Sequence, residues 1–276
     1  MKYISKKKVN LLLILATCLS VGFVVHRLED AKHIQIELAK QKVVRNAEAH
    51  YFDLVNMRQW NAMTHGVYVK PQDGSIKPNP YLKDNTLMTS ENEVLIKVNP
   101  AWMTRQISEI ANKSGDHFFK ITSLNPLNPK NAADQFEIKA LQFFDKNKQK
   151  NHYYQFNNDF SQLDFMGSLV TTKACLSCHA EQGYKIGDIR GGIRISSPNA
   201  DLKEEIDWLK RKALENNAMV IVSALFVLLL LLRINHVVYA HQRKIEKLNA
   251  QLAIEKQLEH ELNVELKSAQ VNLIQA

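Results

Sequence analysis

Three residues carry most of the chemistry that can be read from this chain. They lie within Cys175-Leu176-Ser177-Cys178-His179. Cys-x-x-Cys-His is the attachment pattern of c-type haem. Each thiol can form a thioether to the porphyrin edge, and the adjoining imidazole can then ligate the iron from the proximal side. A zinc site would need two further ligands, and no second cysteine pair exists. A thioredoxin-like dithiol would have no use for the histidine. Covalent haem is the reading that uses Cys175, Cys178 and His179 together, and it implies one haem c.

The opposite face of the iron is open in the sequence. Candidates are His33, His50, His65, His117, His152, Met57, Met63, Met88, Met103 and Met166. The first choice is His65, which stands before Gly66 in a turn leading to a strand. Met63 and His50 follow, and a site with no sixth protein ligand is the remaining alternative. Haem propionates require cationic partners, and Arg binds carboxylates in a bidentate manner. Arg58, Arg105 and Arg190 are the candidates, with surface ion pairs as the alternative role. Trp60, Tyr68, Trp102 and Phe165 are candidates for the pocket wall, or ordinary core aromatics.

These residues must be positioned by elements that the hydropathy pattern brackets between two apolar runs. The chain has 276 residues, with 36 Lys and Arg against 28 Asp and Glu, a net charge of +8. The placement of that charge argues against nucleic acid. Lys2, Lys6, Lys7 and Lys8 precede an apolar run, and Arg233, Arg243, Lys244 and Lys247 end or follow a second one. This is the positive-inside pattern with both chain ends in the cytoplasm, although Lys210, Arg211 and Lys212 lie on the other side. Each run is near the ~20 residues that a helix needs to cross a bilayer. The first run has a cleaved signal peptide as its alternative. The second has a buried core helix.

The expected organisation is a basic cytoplasmic segment over 1–8, transmembrane helices over 9–26 and 218–239, a periplasmic domain over 27–217 between them, and a cytoplasmic helix over 240–276. Cys18 falls in the first apolar run, so Cys175 and Cys178 are the thiols outside the membrane. Within the periplasmic part, helical periodicity predicts a helix over about 27–60. Strands are predicted at 67–69, 93–98, 117–123, 151–156, 165–171 and 192–195. Helices are predicted over 101–113, 132–144 and 201–212. Gly and Pro clusters over 61–92 and 125–129 mark loops. The fold class is α+β, an antiparallel sheet with flanking helices. Beyond the second run, Leu248, Leu252, Leu258, Leu262, Leu266, Ala269 and Leu273 form a stripe that suggests a coiled coil between two copies. A solvated amphipathic helix, or a piece of a longer protein, is the alternative.

Four ordered blocks carry a family resemblance. They are 60–69 (WNAMTHGVYV), 99–106 (NPAWMTRQ), 121–129 (ITSLNPLNP) and 175–192, which holds the haem motif. They resemble the haem-c-containing, PAS-like sensor domains anchored in bacterial membranes, over about residues 30–200. The resemblance implies a PAS-like fold, covalent haem and signal input, as family members often precede kinase, cyclase or chemotaxis-type modules. Members usually read His-Gly-Gly before Val-Tyr-Val, whereas here the histidine stands one place later. A distal cysteine, attributed to some members, has no counterpart in this domain.

The leading expectation is therefore a sensor in the bacterial inner membrane. It would relay haem redox state or gas ligation through the second span to the cytoplasmic helix. A homodimer and a separate cytoplasmic signalling protein, or a periplasmic redox partner, are implied. A membrane-anchored mono-haem electron carrier is the alternative. No acid–base set is assigned by spacing, so the chain is not expected to be an enzyme.

Overall fold

The computed structural model describes residues 5–275 apart from 73, 75 and 116, and leaves the side chains of 114, 177, 178 and 269–275 undescribed. The basic segment expected over 1–8 is thus described only from residue 5. The chain divides into two units, one of His33–Lys210 and one of Met1–Lys32 with Arg211–Ala276.

The first helix, α1, runs Lys6–Met63, and the last, α5, runs Ala200–Gln275. Both are long and apolar enough over part of their length to cross a membrane. In the unit formed by their outer segments, polar pairs bind one helix to the other. Asn235 Nδ2 donates to Asn10 Oδ1 at 2.6 Å, Lys6 Nζ meets His236 Nδ1 at 2.7 Å, and Asn217 Nδ2 donates to Glu29 Oε1 at 2.9 Å. The stretch 241–268 is exposed throughout.

The other unit is α+β, with two antiparallel sheets where the sequence suggested one. Strands β1 (Val67–Val69), β2 (Thr86–Met88) and β3 (Val94–Val98) form the smaller sheet in the order β1-β3-β2. Strands β4 (Phe118–Thr122), β5 (His152–Phe156), β6 (Gln162–Val170) and β7 (Ile189–Pro198) form the larger in the order β4-β7-β6-β5. Successive strand residues face opposite sides of a sheet, and the larger sheet uses both. Leu163 and Phe165 of β6, with Ile193 and Ile195 of β7, pack on Val44, Ala47, Tyr51 and Leu54 of α1. Met166, on the other face of β6, packs on Ala140, Leu141 and Phe144 of α3 (Gln135–Lys146). Ile36 and Ala39 of α1 pack against Leu202, Ile206 and Leu209 of α5.

Local chemistry fixes the helix ends. Helix α2 (Pro100–Ser114) starts where the Asn99 side chain accepts from the Trp102 N–H, with Pro100 in the first turn, and it ends at Gly115 with φ 82°. Its Asn112 amide binds both the N–H and the carbonyl of Phe119, joining α2 to β4. Helix α3 starts three residues later than its apolar pattern suggests, because Asp134 and Glu137 form a reciprocal capping box. Glu137 is fully buried, and Lys120, Thr122 and the Asp134 N–H all donate to it.

Candidate haem site

The motif occupies the connection between neighbouring strands β6 and β7. Two backbone bonds close the neck of this loop, from the Thr171 N–H to the Asp188 carbonyl at 2.8 Å and from the Gly187 N–H to the Thr171 carbonyl at 3.0 Å. The loop winds through a turn at Lys173–Cys175, a single α-helical turn α4 (Leu176–His179) and a turn at Ala180–Gln182. Gly183, with φ 84°, ends it. On a helical turn, residues three apart share a face, so the spacing of Cys175 and Cys178 matches their local backbone. The Cys175 sulfur lies 3.4 Å from the Thr172 backbone nitrogen and 3.3 Å from its hydroxyl. The side chain of Cys178 lies outside the described residues.

His179 is 8% exposed and lines a cleft of about 770 Å³, counting the part open to solvent. Its Nδ1 lies 2.5 Å from Gln182 Oε1, and Gln182 Nε2 donates to the Asn125 carbonyl at 3.2 Å. Burial, aided by the charges of Arg190 and Arg58, holds the imidazole below its ordinary pKa against the opposing bond to Gln182. A neutral imidazole that donates through Nδ1 keeps its Nε2 lone pair for a metal.

The walls are Tyr81, Leu82, Trp102, Ile121, Leu127 and Leu169, and the cleft also receives Arg58, Arg105 and Arg190. No Asp or Glu is among the described residues that line it. Arg58 donates through Nη1 to the Pro100 carbonyl at 3.0 Å and to Thr104 Oγ1 at 2.9 Å, which ties α1 to the start of α2. Burial first, and then the like charge of Arg190, push Arg58 down to about 10. Arg190 is the second residue of β7, and the Ser123 hydroxyl holds its carbonyl at 2.8 Å. Arg105 stacks over the Trp102 ring and pairs with Glu109 at 2.8 Å. Two neighbouring guanidiniums in a cleft without a lining carboxylate favour an anionic occupant.

The structure therefore brings the three arginines and His179 to one cleft, but it does not bring His65 there. His65 sits exposed at the end of α1 with φ 57° and its N–H on the Ala62 carbonyl, where the chain reverses into β1. The left-handed conformation that makes the reversal turns this residue to solvent instead of inward. His33, Met57, Met63 and Met88 are exposed as well. His50 packs against His117 with ring centroids 4.9 Å apart, His152 pairs with Glu48, and Met166 is buried under α3. Of the aromatics suggested for the wall, only Trp102 lines the cleft. Phe165 lies in the core under α1, and Trp60 and Tyr68 are largely exposed. Tyr81, Leu127 and Gln182 were not legible as site residues. They come from loops without periodicity, and only the polar residue three places after His179 offered a signal.

A family model described as Tll0287-like matches residues 33–198, more than half of the chain. The chain belongs to the Tll0287-like family. One solved structure with which it aligns is that of the cyanobacterial heme-protein Tll0287. That alignment has 20% sequence identity and a TM-score of 0.40, and it covers 57% of this chain and 95% of the other. No curated protein matches. The match to the Tll0287-like family takes in all four sequence blocks up to and including the motif-bearing loop, together with both sheets.

Proposed function

We propose that this chain is a membrane-anchored sensor with one covalently attached haem. Cys175 and Cys178 would supply the thioethers, His179 the proximal iron ligand, and Arg58, Arg190 and Arg105 the partners of the propionates. The observation that carries the reading is the cleft itself. It combines an imidazole that burial holds toward its neutral form, apolar walls, and guanidiniums with no lining carboxylate among the described residues. The Tll0287-like family membership, and the name of the cyanobacterial heme-protein, support it. When bound, haem supplies one-electron redox chemistry and ligand exchange at iron. The protein's own part is to keep His179 neutral and oriented, to neutralise the propionates, and to exclude water with Tyr81, Trp102 and Leu127.

In this reading the domain is PAS-like and periplasmic, the two apolar helices cross the bacterial inner membrane, and the stretch 240–276 pairs with a second copy as a coiled coil. A change at the haem biases that dimer, which acts on a separate cytoplasmic signalling protein or responds to a periplasmic redox partner. The chain has no catalytic role of its own and binds no nucleic acid. The test is an absorption spectrum of the purified full-length protein, oxidised and reduced, paired with a cellular response assay on a chain lacking 242–276. A c-type haem spectrum and a lost response support the sensor. A c-type spectrum with an intact response supports the alternative, a membrane-anchored electron carrier. No haem spectrum rejects both.

A further inference from the structure

Gln182 is the last residue of the turn that follows His179, and its amide has two chemically distinct ends. The backbone carbonyl of Asn125 can only accept a hydrogen bond, so the Gln182 NH₂ group must face it, at 3.2 Å. Gln182 Oε1 must then face His179 Nδ1, at 2.5 Å. An amide oxygen can only accept, so Nδ1 must carry the proton. The Asn125 carbonyl is itself held in place. The Asn125 N–H donates to Ser123 Oγ at 3.2 Å, and the Ser123 hydroxyl donates to the Arg190 carbonyl at 2.8 Å. Gly183 fixes the position of Gln182 along the chain by ending the turn.

We infer that Gln182 is a positioning residue that fixes the tautomer of His179 and sets its strength as an iron ligand, taking its own orientation from the Asn125 carbonyl. The inference rests on the haem reading above. The partner of the second ring nitrogen tunes a ligating histidine. A carboxylate in that place would draw the Nδ1 proton, give the ring imidazolate character and stabilise ferric iron. A neutral amide orients the ring without that shift. The sequence position that sets this strength is thus a single side chain, three residues after the ligand.

The experiment uses the full-length protein matured in a cytochrome-c-competent host, as wild type, Gln182→Glu and Gln182→Leu. The first readout is the reduction midpoint. Gln182→Glu should lower it and Gln182→Leu should raise it. A residue that merely supports the fold would move both variants the same way, so shifts of one sign, or none, overturn the inference. If Gln182→Leu fails to mature, the nearly isosteric Gln182→Glu decides alone, and an unmoved or raised midpoint refutes it. The second readout needs no haem. Long-range nitrogen–proton NMR on histidine-labelled apoprotein, with His179→Gln for assignment, should show His179 protonated at Nδ1 in wild type and released from that tautomer in Gln182→Leu. An Nε2-protonated wild type refutes the inference whatever binds in the cleft. A wild type that lacks haem but shows the Nδ1 tautomer would reject the haem reading and keep the positioning role.

Discussion

Replacing Gly167 by Ala should destabilise the domain by a predictable amount through a single contact. A Cβ at Gly167 would lie 2.2 Å from both Cδ2 and Cε2 of Tyr51 and 2.6 Å from its Cγ, where 3.4–4 Å is ordinary contact. The ring or β6 must therefore give by roughly 1 Å. Overpacking of a tight core costs about 1–3 kcal/mol. Tyr51 is 5% exposed, and its hydroxyl donates to the Ser168 carbonyl at 2.6 Å, so a displaced ring also forfeits about 1 kcal/mol of hydrogen bonding. The lower entropy of the unfolded Ala chain returns about 0.4–1 kcal/mol. The net is about 2 kcal/mol, or a fall in Tm of about 4–8 °C for a unit of this size. All three tryptophans, Trp60, Trp102 and Trp208, lie within 33–210, so their fluorescence reports on this unit and not on the apolar helical segments outside it. Tyr51→Ala alone should cost about 3–5 kcal/mol. Adding Gly167→Ala to it should then change stability by less than about 0.5 kcal/mol, because the clashing ring is gone. A fully additive double variant, or an unchanged Tm in Gly167→Ala, would show that Tyr51 does not seat on Gly167. The docking of α1 on the sheet would then need another explanation.

Three further outcomes follow from the same geometry. Because burial lowers the pKa of His179, the unfolded apoprotein binds more protons than the folded one from about pH 6.5 downward. Apoprotein stability should fall as pH drops through that range and level off below the folded pKa, and His179→Gln should flatten the slope in urea titrations at several pH values. Arg58→Met removes a charge that Arg190 opposes, so it should cost more stability in protein carrying haem than in apoprotein, and equal urea shifts in the two would argue against a propionate role. If the proposed coiled coil joins two copies, removing 242–276 should convert a dimer to a monomer in detergent by sedimentation, and an oligomeric state unchanged by the deletion would contradict that pairing.

Much of the domain was legible because its elements carry local signals. The alternation over 93–98 gave β3, and helical periodicity over about 27–60 gave the middle of α1. The strand Thr86–Met88 was not legible, since its three residues are all exposed and have no alternation to detect. That strand exists because β3 pairs with it, a partner that periodicity does not reveal. The division into two sheets was hidden for the same reason. In the site, Arg58, Arg105 and Arg190 were chosen for their charge, and the fold puts them together from α1, α2 and β7. His65 was chosen on turn chemistry, which correctly marks a reversal but not the direction in which its side chain leaves it. Tyr81 and Leu127 line the cleft from irregular loops, where no period predicts orientation.

The most direct test is the intact mass of the full-length protein matured in a cytochrome-c-competent host, measured beside a Cys175→Ala/Cys178→Ala variant. The expected result is a wild-type mass equal to the polypeptide plus one haem that survives denaturation, with the variant at the polypeptide mass alone. A wild-type protein at the bare polypeptide mass, while a control cytochrome from the same host carries its haem, would contradict covalent attachment at this loop.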